Sequence, residues 1–137
     1  MQTSTSTSAQ LYETIYVSTL APGRPVSSVG DIASQARARN PQQGITGLLI
    51  FDGMRFCQQL EGVKQQVLGL MEKIRLDPRH TNVEIVYRGE LVSRRFKSFS
   101  LGYTNAEDPE ALERLEKLQG FAAVSAFLAL LSQVDAI

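Results

Sequence analysis

A single cysteine, Cys57, excludes an internal disulfide and any cysteine-cluster metal site in this chain of 137 residues. Histidine is as scarce. His80 stands alone, too little for a histidine-based zinc centre or a Ser-His-Asp triad. No sign of charge dominates: 14 basic side chains balance 14 acidic ones, and no basic run exceeds Arg94-Arg95. Nucleic-acid binding through phosphate neutralisation is therefore not expected. The most apolar segment, 121–131, is too short to cross a bilayer, so no membrane association is expected. Residues 1–10 (MQTSTSTSAQ) lack the basic start and apolar core of a signal peptide and have the composition of a disordered tail. These absences point to a cytoplasmic protein of one domain, large enough for a core without staples.

What is present concentrates in residues 44–62 (GITGLLIFDGMRFCQQLEG). They read as two strands around an Asp-Gly turn, near 44–52 and 54–61. Side chains alternate across a sheet, so Phe56, Gln58 and Leu60 share one face. An amide between two large hydrophobes is half buried and must find hydrogen-bond partners. Its partner is a neighbouring side chain, a water, or something bound over the sheet. Cys57 and Gln59 point to the opposite face, where packing is the expected role.

Residues 11–18 (LYETIYVS) read as a first strand, and Pro22-Gly23 with Pro25 forces a loop. Ser28-Val29-Gly30-Asp31 resembles a capping box, opening a helix with Val29, Ile32, Ala33 and Ala36 inward. Asn40 falls on that helix's buried side, and Pro41 is expected to end the helix there. After the hairpin, Val63, Val67, Leu70, Met71 and Ile74 form the inward stripe of a second helix, running to Asp77-Pro78. Residues 82–90 alternate as a strand, with Val83, Ile85 and Tyr87 on one face. A last strand covers 99–104.

The order βαββαββ predicts an α+β fold, a ferredoxin-like antiparallel or mixed sheet with both helices on one face. The remainder predicts two more helices. Asp108-Pro109 supplies a cap and an N1 proline, and Gly120 a stop before a helix over about 121–134 with Phe121, Val124, Phe127, Leu128 and Leu131. A sheet with helices on one face leaves the other wet, so this pair is expected there. Part of its apolar surface is expected to meet another subunit, through the sheet face or the C-terminal helices.

Five elements in this order and spacing resemble one family. They are Tyr16-Val17-Ser18 on a strand, a helix ending in Asn40, Gly44-Ile45-Thr46-Gly47, Phe56-x-Gln58-x-Leu60-Glu61-Gly62, and Asp77-Pro78-Arg79-His80. The pattern is similar to the BLUF domain, a blue-light sensor that uses flavin adenine dinucleotide. The resemblance covers 11–104, between the tail at 1–10 and a helical extension at 105–137.

The resemblance implies a flavin, FAD with FMN as an alternative, held between the two helices. It implies that Gln58 bonds the flavin's polar edge and Tyr16, and that Asn40 bonds the carbonyl and imide side. Ile32, Leu49, Phe56 and Ile74 would wall the ring. Asp77, Arg79 and His80 would lie near its rim or the phosphate tail, with a helix C-terminus holding solvated cations as the plainer account of the last two. Arg39 is a further candidate for the phosphates. Ser18 and Thr46 are expected to be ordinary strand residues.

By the same resemblance, light oxidises Tyr16, its proton follows through Gln58, and recombination leaves a rearranged Gln58 amide. No substrate is turned over, so an enzyme is not expected. The family's last strand commonly carries tryptophan and methionine where Phe99 and Leu101 stand. Phenylalanine has no N–H to offer the Gln58 carbonyl, and leucine lacks methionine's soft sulfur. Photochemistry is expected to persist, with an altered strand response. With no effector domain following, output is expected through a non-covalent protein partner. A light-insensitive interaction protein that keeps the fold is the alternative. A small acylphosphatase-type hydrolase is disfavoured, because no phosphate-binding Arg/Asn loop follows the first strand.

Overall fold

A computed structural model describes residues 10–96, 102–105 and 108–131. Strand β1 is Leu11–Leu20, helix α1 Ser27–Arg39, β2 Thr46–Phe51, β3 Arg55–Val63, α2 Lys64–Leu76, β4 His80–Leu91 and β5 Gly102–Asn105. Helices α3 (Ala111–Glu116) and α4 (Phe121–Leu131) follow. The expected βαββαββ order is present, with the helical pair after it. The strands lie in the order β4-β1-β3-β2-β5. Neighbours are antiparallel except β2 and β5, which are parallel, so the ferredoxin-like sheet is mixed.

Alternation assigns the faces. Ile15, Val17, Leu48, Ile50 and Cys57 share a core with Leu112, Leu115, Ala123 and Phe127, so α3 and α4 cover one face of the sheet. Cys57 packs there as expected, its thiol pushed up to about 12 by burial. Leu112, Leu115 and Phe127 are almost completely covered, and each such side chain stabilises the packing by about 1.5–3 kcal/mol. The opposite face carries α1 and α2, but not as one core. Ile32, Ala33 and Ala36 of α1 pack on Leu49, Phe51 and Phe56. Val67, Leu70 and Ile74 of α2 pack on Tyr16, Ile45 and Leu60. A seam between the two clusters runs over the centre of the sheet.

Several local expectations are corrected. The capping box does not form: α1 begins at Ser27 without a side-chain cap. The first amides are engaged by backbone instead, Ser28 donating to the Pro25 carbonyl at 2.9 Å and Val29 to the Val26 carbonyl at 3.0 Å. Pro41 does not force Asn40 out of helical geometry either, since Asn40 keeps φ −57° and ψ −41°. The chain tightens into a 3-10 turn, Asn40–Gln43, and Pro41 sits in its first turn, where a missing N–H costs nothing. Gly44 then leaves at φ +66°.

Val63 ends β3 and is 39% exposed rather than inward, because α2 starts only at Lys64. Phe121 is 80% exposed, with its ring 6.0 Å from that of Tyr87. Helix α3 starts at Ala111, and Asp108 instead accepts the Glu110 amide at 2.9 Å in the preceding turn. Strand β4 breaks its alternation at a bulge at Val86, so Tyr87 does not share a face with Val83 and Ile85 as expected. It packs with Val86 on the α3/α4 core, while Val83 and Ile85 face α2. Gly47 is required by proximity: a Cβ there would lie 2.0 Å from the Gln59 carbonyl oxygen. Phe99 and Leu101 lie outside the described residues. Among the described residues, no helix is long and apolar enough to cross a membrane.

Candidate functional site

The seam gathers most of the residues singled out from the sequence. Tyr16 and Gln58 are direct cross-strand partners, and Leu49 is the partner of Gln58 on its other side. The Tyr16 hydroxyl donates to Gln58 Oε1 at 2.5 Å, a short contact between buried groups. Gln58 is 3% exposed, and its amide nitrogen makes no hydrogen bond among the described residues. Burial raises the Tyr16 phenol well above its ordinary range, with Cys57 and Asp77 adding to it and Arg39 opposing. The phenol therefore stays protonated at neutral pH.

Asn40 is completely buried where α1 tightens, and its Oδ1 accepts from Arg39 Nη2 at 3.3 Å. Arg39 Nε is buried without a partner. Burial lowers the Arg39 guanidinium from its ordinary range, partly offset by Tyr16. Ile32 reaches the seam from α1, and Ile74 from α2. Leu49 and Phe56 form its floor on the α1 side.

The 77–80 turn closes one end. Asp77 accepts from the Arg79 amide at 2.9 Å and from its guanidinium at 2.7 to 3.2 Å. The Arg79 side-chain bond holds the Asp77 carboxyl below its usual range, against the cost of burial. Arg79 Nη2 also donates to Gln35 Oε1 on α1 at 3.0 Å, tying the turn after α2 to α1. Arg79 is thus no merely solvated cation. His80 opens β4 rather than trailing α2, and its ring lies 4.8 Å from Phe56 and 6.1 Å from Tyr16.

Ser18 is a residue the sequence reading undervalued. Its Oγ is 2.9 Å from His80 Nδ1, which fixes the imidazole over the sheet. The available signal was parity, since Ser18 shares the Tyr16 face of β1. Thr46 opens β2 as expected of a strand residue, its Oγ1 donating to Glu61 at 2.6 Å on the face away from the seam. Gln35 carried no sequence signal.

Burial pushes the His80 imidazole down to about 4, with Asp77 opposing and Arg79 adding. The unfolded residue titrates near 6.5, so folding excludes a proton between these values. Stability is then full above about pH 6.5 and falls as pH drops toward about 4. The loss at pH 5 amounts to about 2 kcal/mol. Urea unfolding at pH 7 and pH 5 measures it, and His80→Gln is expected to flatten the difference.

Flavin suits this donor set. Its pyrimidine end offers carbonyl and ring-nitrogen acceptors, matched by the Gln58 amide nitrogen and by Arg39 Nε, the latter buried without a partner among the described residues. Its dimethylbenzene end is apolar, like Ile32, Leu49, Phe56 and Ile74. Tyr16, Asn40, Leu49 and Phe56 are fully covered in this conformation. Admitting a planar ring therefore means widening the seam, and the Arg79–Gln35 bond is a contact that spans it.

Residues 11–102 match the family model described as sensors of blue light using FAD. The chain is 38% identical over 82 residues to the blue light- and temperature-regulated antirepressor BluF of Escherichia coli K12, covering 60% of this chain and 20% of that protein. It is 43% identical over 77 residues to photoactivated adenylate cyclase subunit beta of Euglena gracilis, covering 55% and 9%. The chain thus spans a fifth or less of these two curated relatives. The dark-state structure of the BLUF protein BlrB superposes with a TM-score of 0.77 at 29% identity, over 90% of this chain and 96% of that one. A structure of Klebsiella pneumoniae BlrP1 with FMN and cyclic diGMP gives 0.70 at 32% identity, over 87% and 34%. Fold, seam and matched residues lead to one assignment: the chain belongs to the BLUF family of blue-light sensors that use FAD.

Proposed function

We propose that this protein is a blue-light photoreceptor whose response is a rearrangement of the Gln58 amide driven by Tyr16. One observation carries the reading: a fully buried phenol donates to the amide oxygen of a buried glutamine on the neighbouring strand. Tyr16, Ile32, Asn40, Leu49, Phe56, Gln58, Ile74, Asp77, Arg79 and His80 would hold the flavin. When bound, it supplies blue-light absorption and a one-electron acceptor.

Burial makes proton loss alone unfavourable for Tyr16, so its proton leaves only with the electron or after it. The proton's path is set by geometry, along the hydrogen bond to Gln58 Oε1. Once that oxygen carries the proton, the amide no longer accepts from Tyr16 and is free to turn or tautomerise. Return of electron and proton to Tyr16 leaves the carboxamide in its new arrangement. Nothing is consumed, and the role is sensory rather than enzymatic.

The photosensor unit would cover 11–104 and the helical extension 105–137, in a cytoplasmic protein. Output would pass to a separate protein or a second copy, through the sheet or its C-terminal helices. The relatives carry different outputs, an antirepressor in one and an adenylate cyclase in another. Phe99 and Leu101 motivate the second reading, a light-insensitive interaction protein. Purified protein loaded with FAD separates the two. A flavin band that moves red under blue light and returns in darkness supports the photoreceptor. Yellow protein without that movement leaves only the interaction protein.

A further inference from the structure

Strands β4 and β5 lie at opposite edges of the sheet. Segment 92–96, which follows β4, lies on the α3/α4 side and crosses over the inner strands, to which buried polar groups tie it. Glu13 on β1 and Gln59 and Glu61 on β3 are all fully buried. Gln59 therefore does not pack as a hydrophobe would.

Glu13 and Glu61 are cross-strand partners. The Gln59 amide nitrogen donates to both, at 2.8 and 2.9 Å. It cannot turn over, because its carbonyl would then face two carboxylates. That carbonyl is buried without a partner.

The crossing segment completes the network. Arg95 donates from Nε and Nη2 to Glu13 at 2.6 and 3.2 Å. The amides of Arg95 and Phe96 donate to Glu61 at 2.9 and 3.0 Å. Arg94 reaches Thr46 Oγ1 and the Gly44 carbonyl, both at 2.8 Å. Phe96 then packs edge-on against Phe127 of α4, ring centroids 6.4 Å apart.

Gln58 and Gln59 are consecutive residues on opposite faces of one strand. Among the described residues, the Gln58 side chain is held by a single bond and can turn. Gln59 is held by two and cannot, so a shift of the β3 backbone here moves its partners instead. We propose that Gln59, with Glu13 and Glu61, relays a change at Gln58 through the sheet to segment 92–96 and on to α4. The three are positioning residues, since they lie on the face away from the seam. The relay rests on the light response argued above.

Hydrogen exchange at the Arg95 and Phe96 amides tests it, on the full chain loaded with FAD, in darkness and under blue light. Absorption is recorded on the same sample. Illumination is expected to speed both amides about tenfold, as local opening of a cooperative unit. Gln59→Met is expected to keep the red shift, to raise the dark exchange rates of both amides, and to lose their light-minus-dark difference. Should Gln59→Met fail to fold, Phe127→Leu serves: the light effect persists at Arg95 and Phe96 and disappears from α4. A red-shifted wild type with unchanged exchange at Arg95 and Phe96 overturns the relay alone. So does an undiminished light effect in folded Gln59→Met, or an α4 response kept by Phe127→Leu. A wild type without any red shift overturns the photoreceptor reading, and the relay with it.

Discussion

Tyr16→Phe is expected to keep the yellow colour of the flavin-loaded protein and to abolish its light-induced red shift. Phenylalanine preserves the ring among Ile45, Leu60 and Ile74 but supplies neither the proton nor a readily removed electron. It also leaves Gln58 Oε1 without the donor it has here. The stability cost is modest, about 1 kcal/mol for one hydrogen bond, because both partners are neutral. Folding and binding should therefore survive while the response disappears. Steady-state difference spectroscopy checks this, and a normal shift in the variant would remove Tyr16 from the mechanism.

The same magnitudes explain why more than one contact must change. A state that lives for seconds needs a barrier of roughly 17 kcal/mol. One hydrogen bond supplies about 1 kcal/mol net. A concerted change of the Tyr16–Gln58–flavin network, enclosed by the packing around it, can hold such a state.

The second large effect is on stability. Glu61→Leu is expected to cost about 3–5 kcal/mol, as breaking a buried charged network does. Its carboxylate accepts from Thr46, Gln59 and the amides of Arg95 and Phe96. Leucine strands all four donors. Burial works against the charge, yet these bonds outweigh it and hold the carboxyl below its usual value of 4.5. Its contribution is therefore present above about pH 4.5 and lost as pH falls further. Thermal unfolding reads the change as a drop in Tm of roughly 10–20 °C. Glu61→Gln, whose oxygen still accepts, should lose less. A Leu variant within 1 kcal/mol of wild type would mean that the network does not hold the crossing segment.

Sequence patterns gave the element order and both helix-bearing faces, because those rest on local periodicity and on the apolar total that must be covered. Ile32 and Ile74 fell on inward stripes, and Gln58 stood out as a polar residue between Phe56 and Leu60. Contacts between distant residues left no such mark. Ser18 and His80 are 62 residues apart, and only the antiparallel pairing of β1 with β4 joins them. His80 looked like the tail of a helix because the strand it opens starts two residues before its alternation becomes visible. Glu13 and Glu61 carry no local mark of burial, and nothing near them in the chain announces that a later segment will cover them. The bulge at Val86 and the helical Asn40 show the same limit. Each depends on what packs against the backbone, not on the residue's own preference.

The central claim is that the Gln58 carboxamide is the group that moves. Its side-chain amide resonances, assigned by their absence in Gln58→Leu, report on it directly in FAD-loaded protein. Blue light is predicted to shift them together with the absorption band, both returning in darkness. A red-shifted band with unmoved Gln58 resonances would contradict the account.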